Sequence, residues 1–264
     1  MTAFAMLGGL LAQYPLEILV EATGWQATLL IDVSVGVALL VFGTISLQYL
    51  NDDLTGQSSS LPSMSESLAA FFSSRLSLVS AACGISMGFL GVAIILLGSA
   101  VGNSYIIKVD HFSPEKASLV ISLIFIGTMI GMPFFGWFYD KVGGLLKILK
   151  WATFLGLITS IIFLYIHGRS FSLQMIMLLL IAFASAAQSL GYVYISLISP
   201  SGEENTLMAI QNFFLVFINS LIPLFFNLFS NLGLPTWLPQ GLLVIPVCLI
   251  LANLILFFLP SVES

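Results

Sequence analysis

Polar positions along this chain are few and bunched, and long unbroken apolar stretches run between them. Eight such stretches stand out, at 3–21, 26–48, 77–101, 117–139, 148–166, 173–197, 207–229 and 241–259. Roughly 20 apolar residues in a helix cross the hydrocarbon of a bilayer. The runs are continuous and do not alternate every second residue, which predicts helices and not the strands of a barrel. The first run is the weakest, because Pro15, Glu17 and Glu21 interrupt its far end. Small residues recur four apart at Gly84/Gly88, Gly98/Gly102 and Gly127/Gly131, a spacing that lets helix backbones approach closely. Pro133 and Pro223 are expected to kink their helices locally.

The longest polar interval lies between Asn51 and Arg75. Its first half is rich in serine, glycine and acid, as in a flexible linker. In its second half Ser63 and Glu66 have capping-box spacing, and Met64, Leu68, Phe71 and Phe72 follow at helical intervals. That pattern predicts a short amphipathic helix on the membrane surface. The interval divides the chain into two spans before it and six after it.

Composition strengthens the membrane reading. The chain is 59% hydrophobic and 7% charged, whereas soluble domains carry about 25% charged residues. The expected fold is therefore an all-α membrane protein of eight transmembrane helices, with the lipid bilayer as its surroundings. The net charge of −5 is scattered over a few loops with no basic patch, which excludes nucleic acid as a partner. Cys83 and Cys248 sit far apart within apolar runs and read as buried thiols, not as a disulfide framework. No basic residue precedes Arg75, so the positive start of a signal peptide is absent and the sequence opens inside a hydrophobic segment.

The most informative stretch is Gly127–Gly144, GTMIGMPFFGWFYDKVGG, where an apolar helix runs into Asp140, Lys141 and a glycine pair. Glycines permit a left-handed reversal, and a carboxylate can meet the positive end of a neighbouring helix. These residues alone fit an ordinary charged hairpin equally well. Lysine and arginine decide the orientation only weakly. With the Asp140 loop placed in the cytoplasm, Arg75, Lys141, Lys147 and Lys150 stand against Lys108, Lys116 and Arg169.

Residues Gly136 to Gly144 resemble the loop motif of the major facilitator superfamily, G-x-x-x-D-[RK]-x-G-[RK]. Three further stretches match that family in order. Gly24-Trp25-Gln26 resembles the Gly-Trp-Arg that opens the sixth helix. Gly102-Asn103-Ser104-Tyr105, then Phe112-Ser113 and the run into Pro133, resembles the seventh and eighth helices. Pro200 to Asn212, PSGEENTLMAIQN, resembles the turn into the eleventh. The resemblance implies helices five to twelve of a twelve-helix transporter. Residues 1–50 are then the last two helices of the N-terminal bundle, 51–76 the central cytoplasmic loop, and 77–264 the complete C-terminal bundle. It also implies a fold lacking the first four helices, a truncated or split product that does not transport alone, and a need for those helices or a partner chain. A cell membrane location follows, the bacterial inner membrane foremost. The family's role for the motif aspartate, latching helices in one access state, carries over to Asp140, with Lys141, Gly136 and Gly143 as its partners in the turn. Two departures are Gly144, where a basic residue is common, and Gln26, where arginine is usual.

Candidate chemistry inside the spans is sparse. Asp32 lies seven residues beyond Trp25, about 10 Å into its helix. Ionisable groups at such depth face a cavity or a partner, so Asp32 is a candidate for proton binding or helix pairing, or else a shallow carboxylate near the interface. Glu17 and Glu21, four apart, point to the outer vestibule or the headgroups. Asn212, Asn219, Pro223 and Asn227 fall within about 80° on a helical wheel, and Ser185, Gln188, Ser189 and Tyr192 form a similar face. These polar faces fit substrate contact and interhelical hydrogen bonding equally. Asn103 and Tyr105 are candidates for the outer mouth.

Gly84-Ile85-Ser86-Met87-Gly88 matches the G-x-S-x-G elbow of serine hydrolases, but that elbow needs a strand before it. The only bases on offer, His111 and His167, fall in expected outer loops. No HExxH and no paired His/Asp cluster occurs, so neither a metal nor another cofactor is called for. The expected function is secondary transport of a small solute, with proton coupling through Asp32 as one mode. The alternative is a non-transporting polytopic membrane protein or an intramembrane enzyme. No Lys or Arg falls mid-span, so these spans offer no buried cation to an anionic solute.

Overall fold

Helices start and stop where short polar side chains and glycines dictate. The computed structural model describes residues 2–50, 74–98, 100–165, 170–230 and 241–261. The expected amphipathic helix at 63–72, and also His167 and Arg169, lie outside the described residues. The N-terminal part forms α1 (Thr2–Leu11), α2 (Tyr14–Thr23) and α3 (Trp25–Leu50). The remainder forms α4 (Arg75–Leu90), α5 (Val92–Leu97), α6 (Ala100–Val109), α7 (Pro114–Val142) and α8 (Leu145–Tyr165). After these come α9 (Phe171–Ser185), a 3-10 turn (Ala186–Ser189), α10 (Leu190–Ile198), α11 (Glu204–Ser230) and α12 (Val244–Phe258).

Three helices open on a serine cap. Ser74, Ser113 and Ser170 each accept a backbone hydrogen bond at 3.4 Å, from Ser77, Lys116 and Leu173. Such caps satisfy one of the donors a helix start leaves free. Gly24 ends α2 at φ 81, and Gly143 ends α7 at φ 68 with its N–H donating to Tyr139 O at 2.8 Å.

All described elements are helical, and five helical stretches are long and apolar enough to cross a membrane. They are Trp25–Ser46, Pro114–Val142, Leu145–Tyr165, Phe171–Ile198 and Glu204–Asn227. The other three expected spans are interrupted or shorter. The first divides at Ala12-Gln13, where Pro15 starts a new helix because it cannot continue the old one. The third divides at Gly91 and again beyond Gly98, and the last is reduced to 15 residues. Pro133 and Pro223 lie inside continuous helices.

Apolar side chains face outward as freely as inward. On α3 from Trp25 to Ser46 only Thr28 is buried, and Phe258 is 86% exposed. A soluble monomer keeps its largest apolar patch near a few hundred Å², and this surface exceeds any such patch. It fits a multi-pass protein whose solvent is hydrocarbon.

Between helices, glycines set the distance. Helix α7 packs chiefly on α9, and α4 on α11. A Cβ at Gly127 would lie 2.7 Å from Leu179 O and 2.9 Å from Ala182 Cβ, and one at Gly131 2.6 Å from Ala186 Cβ. On α4 a Cβ at Gly88 would lie 2.8 Å from Ile218 Cβ of α11. Gly84 is seated against Gln211 O in the same way. Gly98 and Gly102 instead pack partly against the backbone of their own broken helix. The N-terminal pair joins the rest where α1 packs along α7, with Gly9 against the Phe125 ring.

Gly127→Ala should lower thermal stability in detergent by about 1–3 kcal/mol, because the added methyl has no room. Gly136→Ala, whose Cβ would meet nothing within 4 Å, should be neutral or stabilising by about 1 kcal/mol through helix propensity. Equal effects from the two in a melting experiment would contradict this packing.

Candidate functional site

Two interrupted helices meet at one cavity. Gly91, the turn between α4 and α5, lies on its wall, and so do Gln188 and Ser189 from the 3-10 turn between α9 and α10. The cavity measures about 180 Å³ and also involves Tyr192, Asn219 and, from α1, Met6. The glycine at position 91 makes room for an amide: a Cβ there would lie 2.6 Å from Gln188 Oε1. Ser189 Oγ donates to Ala186 O at 3.0 Å, which ties the hydroxyl into the tight turn. A 3-10 stretch within a longer helix commonly marks a hinge or a functional interruption.

The polar stripe expected on α11 is divided among several neighbours. Tyr192 Oη donates to Asn212 Oδ1 at 2.8 Å, joining α10 to α11. Asn219 lines the cavity, and its Oδ1 is buried with no hydrogen-bond donor among the described residues. An unpaired buried acceptor costs about 1–3 kcal/mol, so this oxygen is the strongest polar demand on the cavity. Asn227 is exposed near the helix end. Gln188, Tyr192 and Asn219 thus come together, with Asn212 behind Tyr192.

Other expected residues lie elsewhere. Asp32 is exposed on α3, whose substantial packing is against α2, and is not on the cavity wall. Asp140 and Lys141 are exposed in the last turn of α7. Eight residues separate Met132, on the cavity wall, from Asp140, about 12 Å along the helix. Gly143 and Gly144 both take positive φ, at 68° and 66°, so the reversal that the motif predicts is made by these two glycines. Gly136 stays within the helix, with open space around it. Tyr105, read as a mouth residue, is fully buried with its ring 5.5 Å from that of Phe163. Burying so large an aromatic among α-helices outweighs leaving it at the mouth.

Sequence reasoning missed two glutamines. Gln13 sits at the break between α1 and α2, where its Nε2 donates to Gly98 O at 3.1 Å and its Oε1 accepts from Asn103 Nδ2 at 3.3 Å. It thereby joins two helix breaks, its own and the one between α5 and α6. The available signal was a lone amide two residues ahead of a proline in an apolar run. Gln211 is fully buried between Gly84, Gly191 and Met87, and neither side-chain polar atom has a partner among the described residues. Its neighbour Asn212 drew attention because it completed the stripe.

Ser86 Oγ, at the centre of the G-x-S-x-G match, is buried inside α4 and donates to Ala252 O of α12 at 3.1 Å. That is a bond between helices, and no strand precedes it among the described residues. His111 is exposed in the loop between α6 and α7. Among the described residues no three His, Cys, Asp or Glu side chains gather as a metal site would need. No protein-family profile and no curated protein sequence matches the chain.

Gln13→Leu removes both hydrogen bonds that hold the two breaks together. At about 0.6 kcal/mol for each bond between membrane helices, it should cost about 1 kcal/mol of stability and speed hydrogen exchange around residue 98. Ser86→Ala should cost about half as much. Unchanged melting and exchange in Gln13→Leu would show that the bridge carries no load.

Proposed function

We propose that the chain takes part in the secondary transport of a small solute, of the facilitator type its motifs resemble, with the cavity at Gly91 and Gln188 as the solute site. In this reading α1–α3 belong to the first bundle, α4–α12 form the second, and residues 51–76 connect them on the cytoplasmic side. The observation that carries it is the meeting of two broken helices at a cavity with an unpaired amide oxygen. Transporters of this kind build their sites from discontinuous helices near the bilayer midplane and rock one bundle against the other. Met6 of α1 closes one side of the cavity, so movement of α1 along α7 opens or shuts it. The Asp140 turn, at the far end of α7, takes the latch role that its motif implies.

The wall chemistry narrows the solute. Asn219, Gln188, Tyr192 and Ser189 supply the polar groups, the rest is aliphatic or thioether, and among the described residues no charged side chain takes part. A cavity of about 180 Å³ is smaller than the roughly 300–1,000 Å³ of drug-sized sites. The fitting solute is small and neutral, with an N–H or O–H to give to Asn219 Oδ1. Proton coupling through Asp32 belongs to the same proposal, as a group acting away from the cavity.

A thermal-shift screen of the purified chain against small neutral and small anionic solutes tests this reading. A neutral hydrogen-bond donor should stabilise it, since ligand at a hundredfold excess over Kd adds about 2.7 kcal/mol. Asn219→Ala should weaken that solute about tenfold, and Asp32→Asn should leave its affinity unchanged. Measuring saturable, gradient-driven uptake of the same solute, in vesicles with the chain alone and in cells that produce it, then separates transport from simple binding and tests the expectation that the chain does not transport alone. A panel that yields only anions, or a hit indifferent to Asn219→Ala, would sink the proposal.

A further inference from the structure

A second concavity lies on the outer flank of the bundle, away from the solute cavity. It is an apolar groove of about 780 Å³ between α7, α8 and α9 that ends at the glycine turn 143–144. Phe135, Phe138 and Phe183 line its depth, Trp151 and Leu155 its α8 side, and Lys147 its mouth. Leu155 is eight residues beyond Lys147, so the groove runs about 12 Å inward from the charge. Trp151 is 70% exposed, which leaves the groove open sideways to the surroundings of the bundle.

Charge at the mouth is set by the local sequence. Lys141, Lys147 and Lys150 are three of the seven basic residues of a chain whose net charge is −5, and Asp140 is the only acid between Gly136 and Gly156. Lys150 is committed elsewhere, with its ammonium 4.1 Å from the centre of the Phe257 ring. Lys147 folds over the turn, its Cδ 3.6 Å from where a Cβ on Gly144 would be. Residue 144 favours glycine for its backbone, at φ 66°, and a Cβ there would be in ordinary contact with Lys147. The first turn of the 21-residue α8 adds partial positive charge at the same place.

We infer that this groove is a binding site for an anionic phospholipid of the bilayer, its phosphate on Lys147 at the mouth and an acyl chain along Phe138, Trp151 and Phe183. In hydrocarbon an apolar groove open to the side is filled by acyl chain. What the lysine adds is a choice among headgroups, because juxtamembrane lysines attract anionic lipid. Trp151 fits the belt position where tryptophan sits at the headgroup level. The inference rests on the membrane setting alone and stands apart from the transport reading.

Trp151 provides the probe. The chain is reconstituted in phosphatidylcholine vesicles that contain brominated phosphatidylglycerol or brominated phosphatidylcholine at equal mole fraction. The Trp151 contribution is the fluorescence difference between wild type and Trp151→Phe. Brominated phosphatidylglycerol should half-quench it at about fivefold lower mole fraction than brominated phosphatidylcholine. Lys147→Gln should abolish that preference and Lys147→Arg should keep it; both positions are exposed, so folding is not at stake. Equal quenching by the two lipids overturns the inference, as does a preference that survives Lys147→Gln. Loss of the preference on adding inorganic phosphate would overturn it too, by assigning the site to a free anion.

Discussion

Hydrocarbon offers no hydrogen bonds, and most of this structure follows from that. Every backbone N–H and C=O at membrane depth needs a partner within the protein, so a break in a helix is tolerated only where protein or a cavity supplies one. The breaks here obey the rule. Gln13 brings its amide to Gly98 O where the first and third expected spans are both interrupted. At Gly91 the backbone recloses at once, Gly91 O accepting from Ile94 and Ile95 at 3.0 and 3.2 Å, and Gln188 lies over the turn. Placing the breaks face to face lets one set of side chains serve two of them.

A second constraint comes from the weakness of the hydrophobic force between helices already in oil. Lipid tails are as apolar as leucine, so helices associate through close packing and interhelical hydrogen bonds. Glycines 84, 88, 127 and 131 provide the first, and Ser86, Tyr192 and Gln13 the second. The two α-helical contacts with the most glycine, α7 on α9 and α4 on α11, flank the cavity. They set the distance between its walls, while α1 packs through Gly9 on the ring of Phe125.

The sequence made the helices legible because the apolar runs are long and the glycine spacing is regular. Gly127 and Gly131 face α9 as their spacing implies, and the reversal at Gly143–Gly144 was readable from the glycine pair. The breaks were harder. Hydropathy averages over some 19 residues, and a two-residue interruption such as Ala12-Gln13, or a 3-10 turn at Ala186–Ser189, disappears in that average. Polar faces were visible on the helical wheel, but a wheel has no neighbours: it grouped Asn212 with Asn219 although one meets Tyr192 and the other a cavity. Gln211 escaped for the same reason, since its importance lies in the glycines of other helices pressed around it. The groove at Lys147 needs three helices to exist and left no trace in any one of them.

Helix α7 connects these parts. Its Met132 touches the cavity, Phe135 and Phe138 line the groove on the flank, and Asp140 stands in its last turn. Pro133 stands immediately after the cavity residue and has no N–H to give to Met129 O four residues back. Proline within a membrane helix is a common place for bending, and here it falls between the cavity and the turn. Gly127 and Gly131 sit on α9 before the proline, and Phe134 and Phe135 pack on Phe183 of α9 just after it, with ring centres 5.0 and 5.1 Å away. The helix is thus held to α9 on both sides of the proline, and Asp140 and Lys141 in its last turn are exposed. Cavity, groove and turn therefore share one helix, and the proline stands between the first of them and the other two.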